Sequence, residues 1–567
     1  MKTRTYPGRP TPAYTLGIDF GTLSVRALLV DAGTGKEVAT AVVNYPDGVI
    51  EERLPGQTRR LPADTALQNP ADYTASLKSV VKKLLKESGI APEEIKGIGV
   101  DFTCCTILPT DAEGNPLCMQ PRWRHNPHAW VKLWKHHAAQ PQADKINGVG
   151  SARSEAFIPT YGGKYSSEWF FSKVLETLEV SPDLYHAAAR FIEAGDWIIW
   201  QLCGQEKRSL SMAGFKAMRV YEKSDGAWGF PESEFFGSLH PKLKNVIQDK
   251  LASTYYPLST TAGGLTPAMA KAIGLLEGTP VAVANIDAHA AVPACTVTTP
   301  GKLVMILGTS TCHLLIGDQR HEVEGMCGVV KDGVVNGAWG YEAGQAGVGD
   351  LFAWFMEHSL PVSTAALARK SGLDPYAQLA KEATALRPGE SGLLALDWWN
   401  GNRSVLVDAD LSGMIVGLSL GTRPHEIYRA LIEATAFGTR RIIEAFAVKD
   451  VSIDEVYACG GLAKKNPLLM QIYADVTGCS IQVAASDQAS ALGSAMHAAV
   501  AAKLYPDIHQ AAERMANLER RVYKPNKAHS EIYDVLYAEY CRLHDLFGRD
   551  PNGTMKLLKR LRRESRA

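Results

Sequence analysis

From Tyr14 to Asp19 the chain is a run of β-formers. Gly21-Thr22-Leu23-Ser24 then breaks it, and Val25 to Val30 reads as a second strand. A further turn at Gly33 to Lys36 leads into the β-rich run Glu37 to Tyr45, so the pattern predicts an antiparallel meander. Asn69 before Pro70 has the form of a helix cap and first helical position. Tyr73, Leu77, Val80, Val81, Leu84 and Leu85 follow at helical spacing until Gly89. A strand is predicted over Ile95 to Phe102, and helices over Ser166 to Leu178 and Ala187 to Leu202. Tyr221 to Tyr256 has mixed periodicity and predicts no element. Ala262-Gly263-Gly264-Leu265-Thr266 marks a boundary between lobes. Beyond it, a strand at Val281 to Asn285 precedes Leu303 to Leu307, the turn Gly308-Thr309-Ser310-Thr311 and the run Cys312 to Ile316. That order repeats the plan of Leu16 to Val30 and suggests an internal duplication. A long helix, Pro424 to Val448, a strand, Glu455 to Cys459, and helical segments to Ala501 complete the pattern.

At 567 residues the chain is several times the common domain size of about 100 to 150 residues, so more than one lobe is required. The segments predict a floppy arm over 1–13, an α/β lobe over 14–265, a second over 266–505 and a helical extension over 506–567. Hydrophobic residues at 46% and charged residues at 21% are ordinary globular usage and exclude disorder and coiled coils. Sixty Lys and Arg balance sixty Asp and Glu, which disfavours nucleic acid as a partner. No run approaches the about 20 apolar residues of a membrane helix, and the arm lacks a secretory apolar core. Ten scattered cysteines without a CxxC pair fit reduced thiols in a cytoplasm. The Arg-rich tail beyond Met555 carries no identifiable chemistry.

Asp19-Phe20-Gly21-Thr22 places a carboxylate at a strand end beside a turn with unobstructed backbone amides. Such a turn holds phosphate, and the acid can take the magnesium ion that polyphosphates carry. An ordinary hairpin turn is the alternative, and the matching Gly308-Thr309-Ser310 turn weighs against it. Gly460-Gly461-Leu462 after a strand lets backbone approach a flat ligand such as adenosine, while Asn466-Pro467 reads as a helix cap and start. Asp287, beyond a strand and before a small-residue helix, is the candidate general base, although on its own the pattern reads first as a helix N-cap. His136-His137 and His125 with His128 lack the spacing and glutamate of a zinc site. Asp19-Phe20-Gly21 lies too early for a protein kinase, and GxxxxGK[ST] is absent.

Together, Asp19-Phe20-Gly21-Thr22, Leu307-Gly308-Thr309-Ser310 and Ala458-Cys459-Gly460-Gly461-Leu462 resemble the sugar kinase, heat-shock and actin superfamily in order and spacing. Within it, Tyr14 to Ala501, including Gly413-x-Ile415-x-Gly417-Leu418, Glu426-Ile427 and Glu433, is similar to the FGGY carbohydrate kinases. Val100 to Thr106, Leu133 to His137 and Gly340 to Gln345 resemble the members acting on L-ribulose. The resemblance implies two ribonuclease-H-like lobes with mixed sheets flanked by helices, and ATP and Mg2+ in the cleft between them. It implies 5-phosphorylation of L-ribulose in arabinose breakdown, and a homodimer. Position by position it makes Asp287 the base, places Lys216, Glu342 and Cys104 at the sugar, and assigns Asp19, Gly21, Thr22, Gly308, Thr309, Gly460, Gly461 and Asn466 to ATP, with Asp19 also at the metal. Trp134-Lys135-His136 departs from the Trp-x-Asp of xylulose and glycerol kinases, and Ser166-Ser167-Glu168 departs from the first family signature. Another FGGY sugar or polyol kinase, a chaperone-like ATPase and a sugar-responsive regulator remain as alternatives.

Overall fold

The β-branched and aliphatic residues that open the chain form three consecutive antiparallel strands in the computed structural model, which describes residues 13–221, 228–252, 254–550 and 553–565. These are β1 (Tyr14–Phe20), β2 (Ser24–Asp31) and β3 (Glu37–Asn44). β4 (Ile95–Phe102) runs parallel to β1, with Asp101 beside Asp19. β5 (Thr261–Gly264) and β6 (Pro280–Ala282) complete the path β5-β6-β4-β1-β2-β3, and the short strand Asn285–Ile286 pairs with the end of β4.

The second sheet contains β7 (Lys302–Leu307), β8 (Thr311–Gly317), β9 (Gly328–Lys331), β10 (Trp339–Gln345), β11 (Glu455–Cys459), β12 (Ile481–Ala484) and β13 (Leu518–Tyr523). Its order is β9-β10-β8-β7-β11-β12-β13. Six strands of each sheet correspond: an antiparallel hairpin with a third antiparallel strand on one side, then two parallel neighbours and an antiparallel edge on the other. The edge strand precedes its partner in the first sheet and follows it in the second, so the repeat is one of architecture with different wiring at the edge. Helices flank both sheets. The first, Pro70–Ser88, is capped by the Asn69 side chain, which accepts from Ala71 N, and is closed by left-handed Gly89.

Two helices lie between the sheets. Helix Asp287–Ala294 contacts β7 and β8, and helix Ala489–Ala501 lies on β1 and β4. The second approach depends on absent side chains: a Cβ on Gly17 would sit 1.8 Å from Ala491 O, and one on Gly99 1.9 Å from Ser494 O. Ala491, Leu492, Ala495, Met496 and Ala499 are thereby buried in the core of the first sheet although they lie between the second sheet's strands β12 and β13 in sequence.

Several segments differ from the pattern read along the chain. Arg190–Glu193 is a strand paired with Ile107–Thr110, because its hydrogen bonds are met across the gap; the helix starts at Ala194 and ends at Cys203. The earlier helix spans Phe170–Val180, since Ser166 Oγ accepts from Glu168 N and holds that stretch as a turn. The first sheet continues through β6 and Asn285–Ile286, past the boundary expected after Leu265, because Ala262-Gly263-Gly264 pairs as an edge strand. The expected helical extension over 506–567 also supplies β13. Tyr221 to Tyr256 contains helices Ser233–Leu239 and Val246–Lys250 among its described residues. The arm expected over 1–13 lies outside the described residues except Ala13. Among the described residues no helix is long and apolar enough to cross a membrane.

Candidate active site

β1, β4 and Asn285–Ile286 run parallel, so the residues that follow them, Gly21, Thr103 with Cys104, and Asp287, emerge at one end of the first sheet. β7 and β11 do the same in the second, bringing Gly308 and Gly460 side by side. Crevices beyond the carboxyl ends of parallel strands are where α/β proteins bind ligands, because backbone groups there lack strand partners. In the first turn Gly21 N donates to Ser24 O at 3.0 Å. In the second, Gly308 N donates to Ser310 O at 3.0 Å, while Thr309 O accepts from Val348 N at 2.8 Å. Gly460 sits at φ +93°, and a Cβ there would lie 2.4 Å from Leu307 O. Gly461 faces open space, with nothing within 4 Å of a notional Cβ.

Three carboxylates gather at the head of the first sheet. Asp19 accepts from Arg26 Nη1 at 3.0 Å. Asp101 is fully buried; Ser494 Oγ donates to its Oδ2 at 2.6 Å while its Oδ1 has no partner. Burial, reinforced by the charge of Asp19, pushes Asp101 well above the usual carboxylate range. Asp287 is the first residue of its helix; the cap position is Ile286, which overturns the N-cap reading. Its Oδ1 accepts from Ala288 N at 2.8 Å. Burial, then repulsion from Asp19 and Glu342, raises Asp287 to about 7 against the lowering pull of the Ala288 N–H and Lys216. A carboxylate so placed accepts a proton at neutral pH more readily than an ordinary aspartate.

Lys216 closes the helix Leu210–Lys216 in the first lobe and Glu342 lies on β10 in the second. The ammonium reaches both Glu342 oxygens at 2.8 Å, and His289 Nε2 lies 3.4 Å from Oε2. Burial pulls Lys216 down and Glu342 up, but their mutual charge prevails, raising Lys216 and lowering Glu342. Both are therefore ionised, and they bridge the two sheets. Cys104 lies buried in the loop after β4, and Lys173 Nζ holds that loop through Cys105 O at 2.5 Å and Leu133 O at 2.8 Å. Thr22 Oγ1 accepts from Trp134 Nε1 at 3.1 Å, which ties the first turn to this side of the cleft.

The structure thus brings Asp19, Asp287, Lys216 and Glu342 within electrostatic reach of one another, with Cys104 beside Lys216. Asn466 stands apart: its Oδ1 accepts from Leu469 N and its Nδ2 donates to Tyr428 OH, so it caps Pro467–Thr477, as Asn466-Pro467 predicts. Sequence reasoning did not single out Asp101 or Trp134 as site residues; an acid inside the apolar run Ile98 to Phe102 was a usable signal for Asp101.

A cleft between two duplicated sheets, with a glycine turn entering from each and a half-buried acid and an ion pair between them, is an arrangement suited to phosphoryl transfer. The N-terminal domain of the FGGY family of carbohydrate kinases matches residues 14–293 and the C-terminal domain of that family matches residues 303–502, and the chain belongs to this family. Its relatives include the ribulokinase of Geobacillus thermodenitrificans, 52% identical over 558 residues and covering 98% of each chain. The ribulokinase of Mycolicibacterium smegmatis is 47% identical over 559 residues, again covering 98% of each. Among solved structures, the gluconate kinase of Lactobacillus acidophilus superposes with a TM-score of 0.77 over 95% of this chain and 98% of its own, at 18% identity, a likeness of fold alone.

Proposed function

We propose that the chain transfers the γ-phosphoryl group of ATP to the 5-hydroxyl of L-ribulose, with Asp287 as the base. The full-length likeness to ribulokinases supports the substrate. The observation that carries the mechanism is the position of Asp287, at the end of the strand next to β4 and held near neutral pKa beside the Lys216–Glu342 pair. The Gly21-Thr22 and Gly308-Thr309 turns take the phosphates from opposite lobes, through the Thr22 and Thr309 amides because Gly21 N and Gly308 N are held within their turns, and Gly460-Gly461 gives the nucleoside an unobstructed wall. Asn466 shapes that wall by holding its helix. Lys216 and Glu342, ionised and buried, orient the sugar hydroxyls, with Cys104 against the carbon skeleton. Asp287 takes the proton of the attacking hydroxyl as the lobes exclude water, which limits transfer to water.

Among the described residues no group of three or more His, Cys, Asp or Glu side chains encloses a metal by itself. Mg2+ is held by one or two carboxylates together with phosphate oxygens and water, and Asp19, at the end of β1 beside the Gly21-Thr22 turn, offers such a carboxylate. Bound there, Mg2+ would neutralise phosphate charge.

The test is ADP release by native protein and by Asp287→Asn with a panel of ketopentoses and polyols. Native protein is expected to turn over with L-ribulose, and the variant to keep nucleotide affinity while losing ~10² or more in turnover. Turnover of the variant near the native rate removes Asp287 from the base role, and ADP release indifferent to any sugar replaces the kinase reading with that of a chaperone-like ATPase.

A further inference from the structure

The Lys216–Glu342 bridge has a counterpart of opposite polarity. Arg403, from the second lobe, places Nη2 3.7 Å from Glu168 Oε1 of the first. The first lobe therefore offers a cation at Lys216 and an anion at Glu168, and the second offers an anion at Glu342 and a cation at Arg403. Both ends of the new pair are about four-fifths buried, at 19% side-chain exposure each, where charge contacts are less screened than at the surface.

Each end is mounted on the site. In the Arg403 loop, Asn402 and Asp408 exchange backbone hydrogen bonds, and Asn402 Oδ1 accepts from Leu406 N. Ser404 Oγ accepts from Gly344 N at 3.2 Å, which anchors that loop to β10 two residues beyond Glu342. Across the cleft, His137 Nε2 lies 2.9 Å from Glu168 Oε1, and the Arg403 guanidinium carbon lies 5.8 Å from the Trp134 ring, whose Nε1 donates to Thr22. Lys164 Nζ reaches Val407 O of the same loop at 3.4 Å. One connected set thus runs from the Gly21-Thr22 turn through Trp134 to Arg403, Glu168 and His137. The segment Ser166-Ser167-Glu168, which departs from the family signature, is where the first lobe supplies its anion.

We propose that Arg403 and Glu168 are positioning residues that latch the two lobes over the sugar, and that their crossed polarity with Lys216 and Glu342 sets the register of closure. A displaced closure would bring like charges together across the cleft, which disfavours it. The separation of 3.7 Å is a charge contact rather than a direct hydrogen bond, so it is the looser of the two cross-cleft pairs, the Lys216–Glu342 bridge being the tighter. It follows that the latch acts on sugar-dependent closure and leaves nucleotide binding to the open protein unaltered. This inference rests on the kinase reading above.

A double-mutant cycle on the full chain tests it, with Arg403→Met, Glu168→Gln and the double variant assayed for L-ribulose-dependent ADP release, for KM and kcat separately, and for ATP binding without sugar. Each single variant is expected to lose ~10-fold in kcat/KM for the sugar, chiefly through KM, with the ATP dissociation constant unchanged. The double variant is expected to lose little more than either single one, far short of the ~100-fold product of independent effects. Arg403→Lys should recover part of the loss by restoring the charge. Multiplicative losses, or equal losses in sugar use and ATP binding, overturn the latch while native turnover stands. Native protein inactive on every ketopentose overturns the kinase reading and the latch with it. Should Arg403→Met fail to fold, as seen by its melting temperature, the near-isosteric Glu168→Gln decides alone: an unchanged sugar KM overturns the proposal.

Discussion

Replacing Asp287 with Asn should make the protein less active and more stable, with both effects depending on pH in a stated direction. The folded carboxyl binds its proton up to about 7, whereas the reference value is 3.8. Between those values the unfolded chain holds fewer protons at this site than the folded one. Stability therefore falls as pH rises from about 4 to about 7 and levels off above. A shift of roughly three units at about 1.4 kcal/mol each sets an upper bound of about 4 kcal/mol. Asn keeps an oxygen for the Ala288 N–H without carrying charge, so the variant escapes this penalty. Thermal unfolding at pH 5, 6, 7 and 8 should show its advantage over native protein growing with pH and flattening above 7. In parallel, kcat/KM for the sugar should rise about tenfold per pH unit below 7 in the native enzyme and reach a plateau above, because only the ionised carboxylate accepts the proton. A variant no more stable than native at pH 8, together with a flat native profile between pH 5.5 and 8, would refute the reasoning.

The remaining expectations concern the frame and the ligand walls. Gly99→Ala drives a methyl to 1.9 Å from Ser494 O and should lower stability by about 3 kcal/mol or abolish folding, measured by denaturant unfolding. Gly460→Ala meets both a positive φ and Leu307 O, and should weaken ATP binding in a direct titration before it touches sugar KM; the reverse order would contradict the nucleoside wall. Glu342→Gln leaves Lys216 buried without its anion, which costs about 3 to 5 kcal/mol where the partner is fully desolvated; calorimetry should give a lower melting temperature, and kinetics a raised sugar KM.

Local chemistry made the hairpins legible. Tyr14 to Val30 and Leu303 to Ile316 each switch from β-formers to a Gly-Thr turn and back within a few residues, and both hairpins form at those places. Helix Pro70–Ser88 was equally legible, because its cap, stripe and terminating glycine all act within one element. What escaped was decided across distance. Arg190–Glu193 looks helical in isolation and is a strand only because Ile107–Thr110 offers it partners. Ala262-Gly263-Gly264 reads as a linker but pairs as an edge strand, because a glycine pair suits either. Helix Ala489–Ala501 belongs to the first core only through the missing side chains of Gly17 and Gly99, far away in sequence. Of the candidate site, the strand-end places of Asp19, Gly21, Asp287, Gly308 and Gly460 were legible, since each follows or closes a β-rich run. Arg403 and Glu168 were not, because an ordinary arginine in a loop acquires meaning only when the other lobe places a carboxylate beside it.

The most direct measurement is the structure of the product made from ATP and L-ribulose, followed by nuclear magnetic resonance. The account predicts one phosphate per sugar, attached at carbon 5, with phosphorus coupling to the protons on that carbon and a matching yield of ADP. Phosphate on another carbon, or ADP formed without any phosphorylated pentulose, would contradict it.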